Sequence, residues 1–127
     1  TNKLVSFDLC QHTYSKKCIE YIKNTFNNKF ILICGDSTKT IPQYNNHFDL
    51  IFIDGGHYGD IPYLDIQNTI DYLSNKNSLL LIDDTYYSYI ISKVIKNNVD
   101  NAVNYFIKNN KIKLISSIPG LSLFMIL

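Results

Sequence analysis

Four short apolar runs in this 127-residue chain each end in aspartate. Residues 4–7 lead to Asp8, 30–34 to Gly35-Asp36, 50–53 to Asp54 and 79–82 to Asp83-Asp84. Each run is continuously apolar rather than alternating, the pattern of a strand covered on both faces of a parallel sheet. Stretches of helical period separate the runs. Strands that alternate with helices build right-handed βαβ units and a parallel sheet. In such a sheet all four aspartates fall on the C-terminal edge, where open α/β folds bind their ligands.

The spacing predicts a helix over 14–26, with Cys18, Ile19, Ile22 and Phe26 on one face and Lys16, Lys17, Glu20 and Lys23 outside. A second helix is predicted over 61–73, where Ile66, Ile70 and Leu73 share a face, Asp60 stands near the start and Pro62 lies in the first turn. Residues 86–107 follow a helical pattern with an expected break near 97–100, and 38–47 read as a short helix or loop. At the end, runs 112–116 and 121–127 flank Ser117-Ile118-Pro119-Gly120, a turn signal that predicts an antiparallel hairpin. The expected fold is an open, mostly parallel α/β sheet with helices on both faces and this hairpin as its ending. Residues 1–127 are expected to form a single domain.

With 46% apolar and 18% charged residues the chain has the composition of a globular protein. Its net charge of +1 comes from scattered lysines, which argues against nucleic acid and against an anionic membrane as partners. The apolar runs are too short to span a bilayer, and no leader pattern opens the sequence. The three cysteines, Cys10, Cys18 and Cys34, match no zinc spacing and lie in apolar patterns. They are expected to be reduced, mostly buried thiols in a cytoplasmic protein.

The acidic edge carries the chemistry. Carboxylates gathered on one rim repel one another unless ligand hydroxyls, amines, a cation or helix N-termini compensate. Any one of the four could simply cap the helix that follows. Four in succession, with Gly35, Gly55 and Gly56 opening space beside them, point instead to a hydroxyl-rich, amine-bearing or metal-bound ligand.

The run from Phe48 to Tyr58, FDLIFIDGGHY, followed by Asp65-Ile66, resembles the fourth motif of class I S-adenosylmethionine-dependent methyltransferases. The likeness is greatest to the methyltransferase domain 24 and macrocin-type O-methyltransferase branch. Val5-Ser6-Phe7-Asp8 resembles that branch's strand two, Ile33-Cys34-Gly35-Asp36-Ser37 its strand three, and Leu80-Leu81-Ile82-Asp83-Asp84-Thr85 its strand five. The resemblance implies a Rossmann-like fold and transfer of a methyl group to a hydroxyl of a small molecule such as a sugar. It implies that Asp8 accepts hydrogen bonds from the cofactor ribose, that Asp36 meets the adenine amino group and that Ser37 lies beside it. Asp54 would lie under the methyl donor and, with Asp83 and Asp84, bind a divalent metal such as Mg²⁺. His57 would take the proton from the substrate hydroxyl, since a metal and a neutral imidazole together make an alcohol nucleophilic. Tyr58, Tyr86, Tyr87 and Tyr89 are candidates for the substrate wall, and His12 for the cofactor pocket.

The family's first strand and glycine-rich loop have no counterpart here, because the strand-two pattern begins almost at Thr1. The chain therefore reads as N-terminally truncated, and by itself it is expected to hold the cofactor poorly. A non-catalytic Rossmann-like module for nucleotide binding or assembly is the alternative, and it gains if Asp54, His57 and Asp83 do not converge. A phosphatase-type site is disfavoured, because Asp54-Gly55-Gly56 lacks a second carboxylate two residues on.

Overall fold

The computed structural model describes residues 3–26, 29–86 and 93–127. They form two compact units, 1–43 and 44–127.

In the first unit, β1 (Leu4–Asp8) pairs in parallel with β2 (Phe30–Cys34), joined through α1 (Thr13–Phe26). The register sets Leu4 against Phe30 and Asp8 against Cys34, so both strands end at the same edge. A short helix, α2 (Ser37–Thr40), and a 3-10 turn (Ile41–Gln43) follow. Phe30 and Ile41 are the buried apolar residues described here. On α1, Ile19 and Ile22 are half-buried, whereas Cys18 is exposed.

The cysteine expectation is corrected here. Cys10 and Cys34 are joined in a disulfide, with Sγ atoms 2.12 Å and Cα atoms 5.5 Å apart. The parallel pairing brings this about. Asp8 lies opposite Cys34, and Cys10, two residues on with a left-handed φ of 57°, turns back toward it. Cys18 and Cys34 are exposed rather than buried. Sequence spacing could not show this, because the pair is 24 residues apart and meets only through strand pairing.

The second unit holds a four-stranded sheet in the order β3-β4-β6-β5, comprising β3 (Phe48–Ile53), β4 (Ser74–Thr85), β5 (Ile112–Ile118) and β6 (Gly120–Ile126). β3 and β4 are parallel, joined through α3 (Ile61–Asn68) and a wider π-type turn (Thr69–Leu73). β4 and β6 are antiparallel, as are β5 and β6, so the closing hairpin forms as expected. Its turn is tighter than predicted, since only Pro119 separates the two strands.

The helix α4 (Lys93–Lys108) runs unbroken through 97–100. The predicted break is thus corrected; the start of the predicted helix, at 87–92, lies outside the described residues. The polar cluster that suggested a break is accommodated because Val99, Ala102, Val103 and Phe106 repeat at helical spacing and are buried. They pack with Ile66, Leu80, Ile82, Ile112, Phe124 and Ile126 into the core. Full burial of Phe106 and Phe124 contributes roughly 1.5–3 kcal/mol each relative to exposure.

β3 is not covered on both faces as its apolar run suggests. Leu50 and Phe52 are 61% and 56% exposed, while Ile51 and Ile53 pack on the core. Among the described residues no helix is long and apolar enough to cross a membrane.

Candidate active site

The second unit brings Asp54, His57 and Asp84 together. Each offers one ligand atom, and these atoms lie within 4.8 Å of one another. His57 Nε2 is 3.1 Å from Asp84 Oδ2. Two carboxylates this close repel unless a proton donor or a cation lies between them, and the His57 ring is in contact with one of them, Asp84.

Parallel pairing sets up the meeting. The register that joins Ile53 to Ile82 carries Asp54 and the two aspartates of β4 to the same strand end. A bulge in β4 does the rest. Asp83 pairs with Leu121 and Thr85 with Gly120, which leaves Asp84 as the extra residue. Its φ of 55° is left-handed, as is that of Tyr86 at 51°. Between them Thr85 is fully buried, and its hydroxyl donates to Ser122 Oγ at 2.6 Å. Ser117 Oγ lies 2.8 Å from the same Ser122 hydroxyl. This hydroxyl chain anchors the bulge to the hairpin. In a regular strand consecutive side chains face opposite ways; the bulge re-aims Asp84 toward Asp54 and His57.

Asp83 stands outside the group of three. It lines an adjoining cleft with Gly55, Gly56, Asp65 and His57, so His57 borders both features. Gly55 is required there by space. A Cβ on it would lie 2.5 Å from Asp65 Oδ2, and Asp65 is only 5% exposed. The close approach of α3 to the strand end thus depends on a residue with no side chain.

The His57 loop is held from α4, where Asn98 Nδ2 donates to the His57 carbonyl oxygen at 3.0 Å. Asp100 Oδ1 accepts the Tyr86 backbone N–H at 2.8 Å. Burial and the nearby Asp100 carboxylate raise the Tyr86 phenol above its ordinary value. Tyr58 is 70% exposed and Tyr86 half-buried, while Tyr87 and Tyr89 lie outside the described residues.

In the first unit, Asp8 and Asp36 stand at the common end of β1 and β2. The Asp8 carboxylate accepts the Cys10 N–H at 2.5 Å. Asp36 caps α2, with Oδ1 accepting from Thr38 N at 3.0 Å and from Thr38 Oγ1 at 2.7 Å. Lys39 Nζ lies 3.4 Å from its other oxygen. The two Thr38 hydrogen bonds, and after them Lys39, hold the Asp36 carboxyl below the usual carboxylate value, while desolvation acts the other way. Ser37 opens the helix and is half-buried. His12 is exposed and stacks on Tyr14 with ring centroids 5.0 Å apart, and His47 is exposed.

Sequence reasoning missed Asn98 and Asp100, which looked like part of a helix break, and Cys10–Cys34. A usable signal existed for the first pair: both flank Val99, which the apolar period places in the core.

Parallel βα units with carboxylates at their strand ends define a Rossmann-like α/β domain. A family model described as Methyltransferase domain (methyltransferase domain 24) matches residues 1–85, and the chain belongs to that family. Among solved structures it is similar to the SAH-bound Podospora anserina methyltransferase PaMTH1, at 16% identity and a TM-score of 0.77, over 98% of this chain and 61% of that one. It is also similar to a "putative O-methyltransferase" from Klebsiella pneumoniae, at 14% identity and a TM-score of 0.74, with coverage of 98% and 61%. A third is a "putative caffeoyl-CoA O-methyltransferase" from Staphylococcus aureus, at 14% identity and a TM-score of 0.72, with coverage of 98% and 64%. At these identities the likeness shows the fold. The chain spans about three-fifths of the length of these three proteins. No curated protein matches the sequence.

Proposed function

We propose that the protein carrying this domain transfers a methyl group from S-adenosylmethionine to a hydroxyl of a small molecule, such as a sugar, with a divalent cation assisting. The convergence of Asp54, His57 and Asp84 at the end of two parallel strands carries this reading. It is supported by membership of the methyltransferase domain family, whose model spans all the candidate residues up to Thr85. The SAH bound to the Podospora anserina neighbour supports the choice of cofactor.

The roles proposed for the residues rest on membership of the family and, for Asp54, His57 and Asp84, on their closeness. Asp84 Oδ2 lies 3.1 Å from His57 Nε2; in this reading the carboxylate orients the ring and leaves Nδ1 to take the substrate's hydroxyl proton. That is the logic of a carboxylate-oriented imidazole base. Asp54 and Asp84 hold the cation, with Asp83 beside them in the cleft. The donor set fits: the carboxylate oxygens of Asp54 and Asp84 lie within 4.8 Å of each other, a span that one divalent cation can bridge, and carboxylate, water and substrate oxygens suit Mg²⁺ or Mn²⁺. When bound, the cation supplies positive charge that eases deprotonation of the substrate hydroxyl. Asp8 accepts from the ribose diol, and Asp36 with Ser37 meets the adenine.

Calorimetric titration of S-adenosylmethionine, with and without Mn²⁺, tests the cofactor assignment. In the whole protein that carries this domain, wild type is expected to bind, and Asp8→Ala to bind at least about tenfold more weakly, the loss of a charge-assisted hydrogen bond of about 1.5–3 kcal/mol. Equal binding by the two would remove Asp8 from the site, and no binding by either would count against the cofactor.

A further inference from the structure

One turn of α4 reaches both segments that supply the site. Asn98 donates to the His57 carbonyl oxygen at 3.0 Å, and Asp100 accepts the Tyr86 N–H at 2.8 Å. The first bond ties the loop after β3. The second ties the end of the bulge that aims Asp84, two residues before Tyr86, where the backbone is left-handed at both Asp84 and Tyr86. Non-glycine residues in that region need their surroundings to hold them there.

The helix register that delivers these two bonds is fixed independently. Val99 lies between Asn98 and Asp100 and is 4% exposed, in the core with Ile66, Leu80 and Ile82. Core packing therefore sets the position of α4, and the two polar neighbours of Val99 carry that position to the backbones of His57 and Tyr86. Neither side chain belongs to the group of three.

We infer that Asn98 and Asp100 are positioning residues for the Asp54–His57–Asp84 group: Asn98 fixes the backbone from which His57 projects, and Asp100 fixes the bulge from which Asp84 projects. This rests on the reading of that group as the site.

Two readouts test it, Mn²⁺ binding by electron paramagnetic resonance and the His57 Cε1–H signal by NMR at fixed pH. Asn98→Asp keeps the side-chain shape but loses the N–H donor. Asp100→Ala loses the acceptor. Both are expected to weaken Mn²⁺ binding about tenfold, the lower end of what loss of a supporting contact costs a metal site. Both should also move the His57 signal toward that of an unstructured histidine. Asp100→Asn retains the acceptor oxygen and should behave as wild type. Ile112→Ala, a core truncation at the other end of the sheet, should lower the melting temperature but leave the Mn²⁺ affinity and the His57 signal unchanged. Wild-type behaviour of both Asn98→Asp and Asp100→Ala would overturn the inference, as would equal losses in Ile112→Ala. If wild type binds no Mn²⁺, the metal part of the proposed function fails, and the His57 signal alone decides between the same outcomes for the two positioning residues.

Discussion

His57 Nε2 and Asp84 Oδ2 lie 3.1 Å apart although they arise from different strand ends. His57 comes from the glycine-opened loop after β3, and Asp84 from a bulge in β4. The contact exists because the two strands are parallel and in register, and because one extra residue in β4 turns the second of two adjacent aspartates toward the first strand.

The bulge conformation should be visible in stability. Asp84 has a left-handed φ that a β-branched residue adopts only at a cost of about 1–2 kcal/mol. Asp84→Val is therefore expected to lie about that far below Asp84→Asn in urea-unfolding free energy. Equal stabilities would mean that the backbone at this position is not left-handed in solution.

Gly55→Ala places a methyl group 2.5 Å from the buried Asp65 carboxylate. Overpacking of this kind costs about 1–3 kcal/mol. The cost should shrink in the Gly55→Ala/Asp65→Ala background relative to Asp65→Ala alone, a coupling that a double-mutant cycle by chemical denaturation measures. Strict additivity would contradict the contact.

The Cys10–Cys34 disulfide closes a loop of 24 residues in sequence separation. In the chain-entropy account such a link stabilises by about 3–4 kcal/mol. Thermal unfolding of Cys34→Ala, or of wild type under a reductant, should show the first unit melting earlier, with Cys18→Ala unchanged. Free-thiol titration gives a direct check: one reactive thiol is expected without reductant and three with it.

The carboxyl of Asp36 titrates below its ordinary 3.8 because the folded state supplies two hydrogen bonds from Thr38. Its pKa is lowered on folding, so its contribution to stability is present above the unfolded value and is lost as pH falls through the folded one. The NMR titration midpoint of the Asp36 carboxyl carbon should lie below 3.8. It should rise in Thr38→Val, which removes the larger of the two hydrogen bonds; an unmoved midpoint would assign the shift to another cause.

Much of this architecture was readable in the residues. The run 30–34 matches β2, and the Pro119-Gly120 signal placed the closing hairpin, because apolar continuity and turn chemistry act locally. Asp54 and His57 were legible for the same reason: a strand end followed by two glycines and a histidine is a local pattern. The pairing of His57 with Asp84 rather than Asp83 was not, since it depends on a bulge set by β6. The disulfide escaped for a like reason, as the two cysteines meet only across paired strands. The continuity of α4 was missed because Asn97, Asn98 and Asp100 outweighed the one buried Val99 among them in a reading without neighbours.

The most direct test of the account is methyl transfer itself, followed as label passing from S-adenosylmethionine to a panel of small hydroxylated acceptors. With any acceptor that wild type methylates, His57→Ala is expected to lower kcat by about 100-fold or more, the usual contribution of a general base, with little change in the cofactor KM. Wild-type turnover in His57→Ala would contradict the assignment of this group as the site of chemistry.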